Sequence, residues 1–448
     1  MTRTAIEVWH SALDGPIGIE SGEWLHGELA KRGLFFGDRP LCTVLRPRFL
    51  SRDQYDTMRS RIGVLLGAFD TALAAAVANP AILDQFRLEP WERTLALEDP
   101  KTTASPVSRL DAFFSPDDGR LRFTEYNAET PAGSGYNDAL TDLFLALPAL
   151  PGFRSRFSLT PLPVRHHVLH SLLEAYRGFS RGRSRPTIGI LDWKEVPTQS
   201  EFRLFRDYFR SIGLECVIGD PREVDYRDGA LYAEGVRIDL IYKRVLINEL
   251  IAEGGLDHPM VRAVRDGAVC MVNPFRCKIL HKKASLAVLT DERNQHLFSP
   301  GQRAVIDHHV PWTRVVEERK SIIEGKPIDL LPYAAANREQ LVLKPNDDYG
   351  GAGVVLGWEV DDTRWQAELK RASAAPYIVQ RRIGLPSETF PSLAGGAVVF
   401  ADRIVDTAPF CFDGAFVDGC LTRVSTASLV NVTAGGGSTV PTFVVDPR

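Results

Sequence analysis

The chain has 448 residues, 44% hydrophobic and 25% charged, with a formal net charge of −4, so it can fill sizeable cores in roughly two to four lobes. Charge this close to balance excludes a dominant nucleic-acid or membrane-surface attraction. The one basic stretch, Arg177, Arg181, Arg183 and Arg185, is mixed with Gly and Ser and has no aromatic platform, so it reads as a solvated linker.

Six cysteines stand at 42, 216, 270, 277, 411 and 420, with no CxxC and no zinc-type spacing, which predicts free buried thiols in a reducing compartment. The opening MTRTAIEVWH lacks the apolar run of a signal peptide, and no apolar stretch is expected to reach the length of a membrane span. A cytoplasmic protein is the expectation.

In chain order, the first strong element is a helix over 51–78. Ser51 and Gln54 have capping-box spacing, and Tyr55, Met58, Ile62, Leu65, Phe69, Leu73 and Val77 recur at helical intervals until Asn79-Pro80. Residues 107–128 predict a hairpin, VSRLDAFFS and RLRFTEYNA around the turn PDDG. The loop TPAGSG then leads to an apolar helix around 137–147, ended by Pro148. Over 187–244, TIGIL, LECVIG and RIDLIYKRVL read as strands, and Phe202, Phe205, Phe209 and Ile212 mark a helix that Gly213 ends. That order favours parallel pairing. Helix and strand alternate over 276–390, where LVLKP and YIVQRRI are strands. From Leu393 onward the chain is β-rich.

Chemistry concentrates in a few of these elements. Alternation puts Arg109 with Asp111, and Glu125 with Asn127, on single strand faces. Two carboxylates and an amide oxygen are hard donors that suit Mg²⁺ beside phosphates, and an arginine fork suits an anion. On spacing alone the same hairpin also fits a solvated face with a salt bridge. In LVLKPNDDYGGAG, Lys344 ends a buried strand just before glycines whose backbone N–H groups can wrap a phosphate; the loop is neither a Walker motif nor GxGxxG, and it also fits a plain turn. Lys282 and Lys283 open a helical stretch, Gln380 follows YIV, and Asn431 precedes Gly435–Gly437.

Taken together, Arg109-Leu-Asp111, Glu125-Tyr-Asn127 with Ala-Glu-Thr-Pro, Lys344-Pro-Asn-Asp-Asp-Tyr-Gly-Gly and the late NVTAGGG resemble the circularly permuted ATP-grasp family, which includes the synthetase domain of glutathionylspermidine synthase. The resemblance runs from about Leu45 to the end. It implies an α/β, circularly permuted ATP-grasp fold with a small parallel-sheet pre-ATP-grasp-like subdomain. The implied regions are 1–150, carrying the metal- and phosphate-binding hairpin, 185–275, the α/β subdomain, 276–390, the ATP-binding lobe, and 391–448, the β-rich end of the core. By resemblance, Arg109 is the catalytic phosphate-contacting arginine, and Asp111, Glu125 and Asn127 hold Mg²⁺. Lys283, or Lys282 beside it, and Lys344 contact ATP, Gly350, Gly351 and Gly353 cover its phosphates, and Gln380 opens the adenine hinge.

The implied activity is a carboxylate–amine ligase that makes an amide through an acyl phosphate. Two alternatives stay open, an ATP-grasp phosphotransferase and a non-catalytic nucleotide-binding protein. The partners expected are a small-molecule or peptide carboxylate and an amine, with no nucleic acid and no membrane. The chain departs from the family in three ways: Gln380-Arg381 stands where many hinges have Gln-Glu, no amidase domain is expected, and nothing matches glutathione or polyamine recognition. Candidate acceptor-pocket residues are Thr130, Ser134, Glu195, Gln199, Arg244 and Arg423.

Overall fold

A computed structural model describes residues 1–115, 119–180, 185–348, 350–427 and 437–448. The residues before Gly119 in the PDDG turn, Arg181, Arg183, Tyr349, Asn431, Gly435 and Gly436 lie outside the described residues.

The largest sheet joins distant parts of the chain. Its strands run in the order Arg48–Leu50, Ser438–Pro447, Phe416–Ser425, Ala397–Phe412, Val107–Ser115, Arg120–Asn127. Ser387–Ala394 and Phe157–Pro161 pair onto its flanks. The predicted hairpin is therefore one wing of a sheet completed by the last sixty or so residues. Its first strand lies antiparallel to Ala397–Phe412, with Ala112 opposite Thr407 and Arg109 opposite Phe410.

Apolar side chains cover both faces. Leu110, Phe114, Leu121 and Phe123 pack with the stripe of the helix Arg52–Ala78. Val405, Val424, Val440 and Phe443 pack with the N-terminal helices and the helix Ser134–Phe144. The capping box of Arg52–Ala78 forms as expected: Ser51 Oγ accepts from Gln54 N, and Gln54 Oε1 accepts from Ser51 N. Val77 departs from the predicted stripe and is exposed. Contrary to the expectation, this helix is long and apolar enough to cross a membrane by length and composition. Tyr55, Met58, Ile62, Leu65 and Phe69 are instead buried in the core.

The parallel pairing expected over 187–244 is present, with a fourth strand added. The order is Cys270–Val272, Leu240–Lys243, Ile188–Leu191, Cys216–Gly219. The stretch RIDLIYKRVL is not one strand. Val236–Ile238 belongs to a small antiparallel sheet and Leu240–Lys243 to the parallel one, a change of partner that hydrophobic periodicity does not register. The helix expected at 137–147 begins at Ser134 and ends at Phe144. Glu201 Oε1 accepts from the N–H groups of Gly133 and Gly135, which starts the first turn early, and Gly133 supplies the φ of 105° that the entry needs.

A third sheet, Thr313–Val315, Tyr377–Arg381, Leu341–Pro345, Val355–Leu356, carries Lys344 and Gln380. All six cysteines are free and buried, as expected.

Candidate active site

The hairpin register sets Arg109 opposite Asn127 and Asp111 opposite Glu125, so the four polar residues do share a face. A bulge follows Asp111, where Thr124 is the extra residue. The Thr124 carbonyl accepts from Lys344 Nζ at 3.2 Å. The irregularity thus ties the hairpin to the lysine-bearing sheet.

Asp111 lies between two guanidiniums. Arg109 donates through Nε to Oδ1 at 2.7 Å and through Nη2 to Oδ2 at 3.1 Å, and Arg423 Nη2 donates to Oδ2 at 2.7 Å. Burial works to raise the Asp111 carboxyl, but the two arginines outweigh it and hold it well below the usual carboxylate range. Arg423 Nε also donates to Asp406 Oδ2 at 2.7 Å. Arg109 Nη1 donates to the Ala132 carbonyl at 2.5 Å, so its fork is occupied by groups of the protein.

Lys283 precedes the helix Ala284–Thr290, and its ammonium donates to the Asp348 carbonyl at 2.6 Å and lies 3.2 Å from Glu125 Oε1. Burial raises Glu125, but Lys283, Lys344 and His281 together outweigh it and hold this carboxyl below its ordinary value. Lys344 donates to Gln380 Oε1 at 2.7 Å, and Gln380 Nε2 donates to Thr313 Oγ1 at 3.0 Å. Burial lowers the Lys344 ammonium from 10.5 to about 8, with Glu125 opposing the shift.

These groups line one cleft. Asp111, Glu125, Lys283, Lys344, Gly350, Gly351 and Gln380 face it, together with Asp348, Asp406 and Arg423. Val342, Val354, Leu356, Ile383, Leu385 and Trp358 form its apolar wall. Gly350, Gly351 and Gly353 have φ of 68°, 75° and 66°, a backbone that side chains resist. At Gly353 a Cβ would also lie 2.7 Å from the Pro345 ring.

Among the sequence candidates, Arg109, Asn127 and Gly353 do not line the cleft. Arg109 sits behind Asp111, and of the two arginines that grip Asp111 it is Arg423 that lines the cleft. Lys282 turns the other way, 2.6 Å from Glu92 Oε1 and 2.9 Å from Asp347 Oδ2, so Lys283 is the lysine of the pair that faces the cleft. The candidate acceptor residues Thr130, Ser134, Glu195, Gln199 and Arg244 lie elsewhere. Arg244 holds the Pro131 carbonyl at 2.6 Å, and Glu195 pairs with Arg222. Sequence reading missed Asp406; its one signal is a carboxylate inside the apolar strand run IVDTAPFC.

Asp111, Glu125 and Asn127 suit a hard divalent cation by donor chemistry. The Asn127 Nδ2 is buried and has no hydrogen-bond partner among the described residues. An amide that gains nothing from its NH₂ group there can turn to present its oxygen.

Comparison with known proteins agrees with this architecture. No protein-family model matches the chain. It is 27% identical, over 97% of its length, to a Frankia alni protein provisionally named glutamate–cysteine ligase 2-3, covering 51% of that protein. A Frankia casuarinae protein provisionally named glutamate–cysteine ligase 2-2 is 26% identical, with the same coverage of 97% and 51%. An uncharacterised Mycobacterium leprae protein is 26% identical over 92% of this chain and 73% of its own length. The chain spans about half the length of the two Frankia relatives. Among solved structures, a glutathione synthetase-like effector from Globodera pallida in apo form shares the fold, with a TM-score of 0.58, 13% identity and coverage of 99% of this chain and 98% of that one. The fold is thus shared with the glutathione synthetase-like effector, and the two Frankia relatives carry provisional ligase names.

Proposed function

We propose that the chain is an ATP- and Mg²⁺-dependent carboxylate–amine ligase of the circularly permuted ATP-grasp type, working through an acyl phosphate. One observation carries the reading. Oxygen donors from a hairpin at 107–127 and lysines at 283 and 344 converge on one cleft with a glycine loop and an apolar wall. The pairing of that hairpin with the strand Ala397–Phe412 supports the permuted order. The parallel sheet supports a pre-ATP-grasp-like role for 185–275, between the hairpin region 1–150 and the lobes 276–390 and 391–448.

In this reading the apolar wall takes the adenine, and the backbone after Gln380 reads its edge. The Gln380 side chain itself positions Lys344. Lys283 and Lys344 neutralise the phosphates, and the N–H groups of the glycine loop surround them. Asp111, Glu125 and Asn127 would hold Mg²⁺, which supplies charge neutralisation on the phosphates. An oxygen of the substrate carboxylate attacks the γ-phosphorus, and the bond to the β-phosphate oxygen breaks, releasing ADP. An amine nitrogen then attacks the acyl carbon, loses a proton, and phosphate leaves. Arg423, with Arg109 behind Asp111, stabilises charge on the transferring phosphoryl group.

The ligase names of the relatives fit a small amino-acid or peptide carboxylate and an amine as partners. A cytoplasmic setting belongs to the same proposal and is supported by the six free, buried thiols. The test is ADP release across libraries of carboxylates and amines, with the product read by mass spectrometry. An amide formed only with both partners present supports the ligase. A phosphorylated acceptor without amide would favour the phosphotransferase instead.

A further inference from the structure

Behind the cleft lies a second set of charges, most of them buried. Glu92, Glu129, Lys243, Lys278 and Lys282 are all buried. Glu129, His281 and Asp347 bring ligand-type atoms within 4.8 Å of one another, as a metal site would. The Lys278 ammonium already fills that place, 3.0 Å from Glu129 Oε2 and 2.7 Å from Asp347 Oδ2. The set is a neutralised ionic cluster, and Asp347 is its link to the cleft.

Residues 346–348 are fastened one by one to the segment 278–284. The Asn346 carbonyl accepts from Lys283 N at 2.9 Å, and its Oδ1 accepts from Ala284 N at 2.8 Å. The Asp348 carbonyl accepts from Lys283 Nζ at 2.6 Å. Between them, the Asp347 carboxylate is gripped by Lys278 at 2.7 Å and by Lys282 at 2.9 Å. The grip on Asp347 therefore bears directly on the next residue, whose carbonyl Lys283 holds.

We propose that Asp347 is a positioning residue: gripped by Lys278 and Lys282, it holds the Asp348 carbonyl against the Lys283 ammonium and so fixes where that charge stands in the cleft. Lysine has a long, flexible stem, and with the carbonyl displaced its ammonium would keep only the Glu125 contact at 3.2 Å. The placement of Lys283 is independent of the proposed activity; only its use on a nucleotide rests on that reading.

Two measurements test this separately. In the protein without ligand, limiting acetic anhydride followed by peptide mass spectrometry reads the accessibility of each lysine. The Lys283 side chain is 5% exposed and Lys31 is 76% exposed, which provides an internal scale. Asp347→Asn is expected to raise Lys283 labelling several-fold while Lys344, held instead by Gln380, keeps its rate. No change at Lys283, or an equal rise at Lys344, overturns the proposal.

The second measurement is a double-mutant cycle on Mg·ATP affinity. Asp347→Asn is expected to weaken binding roughly tenfold in the wild-type background and to have little effect in Lys283→Met, since coupled neighbours are non-additive. Equal losses in both backgrounds overturn it. A wild-type chain that binds no nucleotide defeats the proposed function and leaves the labelling result to decide the positioning. If Asp347→Asn fails to fold in a thermal melt, Lys282→Gln, which removes half of the grip, is read by the same labelling criteria.

Discussion

Two clusters of lysines and carboxylates stand back to back at the root of the glycine loop, and they draw on neighbouring residues. Lys282 belongs to the rear cluster and Lys283 to the front, Asp347 to the rear and Asp348 to the front, Glu129 to the rear and Glu125 to the front. In the rear cluster the Glu129 and Lys278 side chains are 0% and 1% exposed. Burial raises Glu129, but Lys278 and Lys243 outweigh it and hold the carboxyl down to about 2. Lys278 is likewise raised, because Glu129, Asp347 and Glu92 overcome the burial that opposes its charge. In front, the Glu125 side chain is 25% exposed, and Lys344 is left with a lowered ammonium. Identical residue types therefore do different work. Buried charges that pair with one another hold the fold, and those that line the cleft are the ones proposed to meet a ligand.

The sharpest way to break this contrast is to remove one lysine from each side. Lys278→Met takes from Glu129 its nearest cation and leaves it only Lys243 at 3.6 Å, and a loss of about 3–5 kcal/mol in urea denaturation is expected. Lys344→Met removes a charge that burial already opposes, so its denaturation midpoint is expected to hold or rise while Mg·ATP affinity falls. Comparable destabilisation by both would erase the distinction between the clusters.

Next in size is the front carboxylate. Asp111→Ala is expected to lower ADP formation by roughly 10²–10³-fold, the scale of losing a preorganised charge partner. Turnover equal to wild type would remove Asp111 from the machinery.

The third prediction uses pH. The folded chain holds Lys344 at about 8 against an ordinary 10.5, so between those values the unfolded chain binds the proton and the folded chain does not. The folding penalty from this group is therefore complete below pH 8 and is relieved as pH rises toward 10.5. Denaturation across that window should show a rise in stability relative to Lys344→Met. Nucleotide affinity should move the other way, falling above pH 8 as the ammonium is lost, and Lys344→Arg should flatten that fall. The smallest effect expected lies far from either cluster: Ser51→Ala should cost about 1 kcal/mol through loss of the helix cap and leave nucleotide binding unchanged.

The hairpin was legible in the sequence because a period of two fixes which residues share a face, and the register bears it out for Arg109, Asp111, Glu125 and Asn127. The capping box at Ser51 was legible because it is local. Lys344 and its glycines were legible as a strand followed by a loop requiring positive φ. What could not be read was which way neighbours turn once the chain folds. The choice between Lys282 and Lys283 depends on a short break between the helices Cys277–His281 and Ala284–Thr290. The engagement of Arg423 with Asp111 spans 312 positions. Gln380 was expected at a hinge for adenine, and only the fold reveals that its side chain holds Lys344.

The central claim is that the cleft binds Mg·ATP through Lys344 and the Asp111 face. Isothermal titration of the full chain with ATP, with and without Mg²⁺, tests it most directly when run beside Lys344→Met and the near-isosteric Asp111→Asn. Binding that requires Mg²⁺ and weakens roughly tenfold or more in each variant is the predicted result. Absence of binding, or affinity indifferent to Mg²⁺ and to both substitutions, would contradict the account.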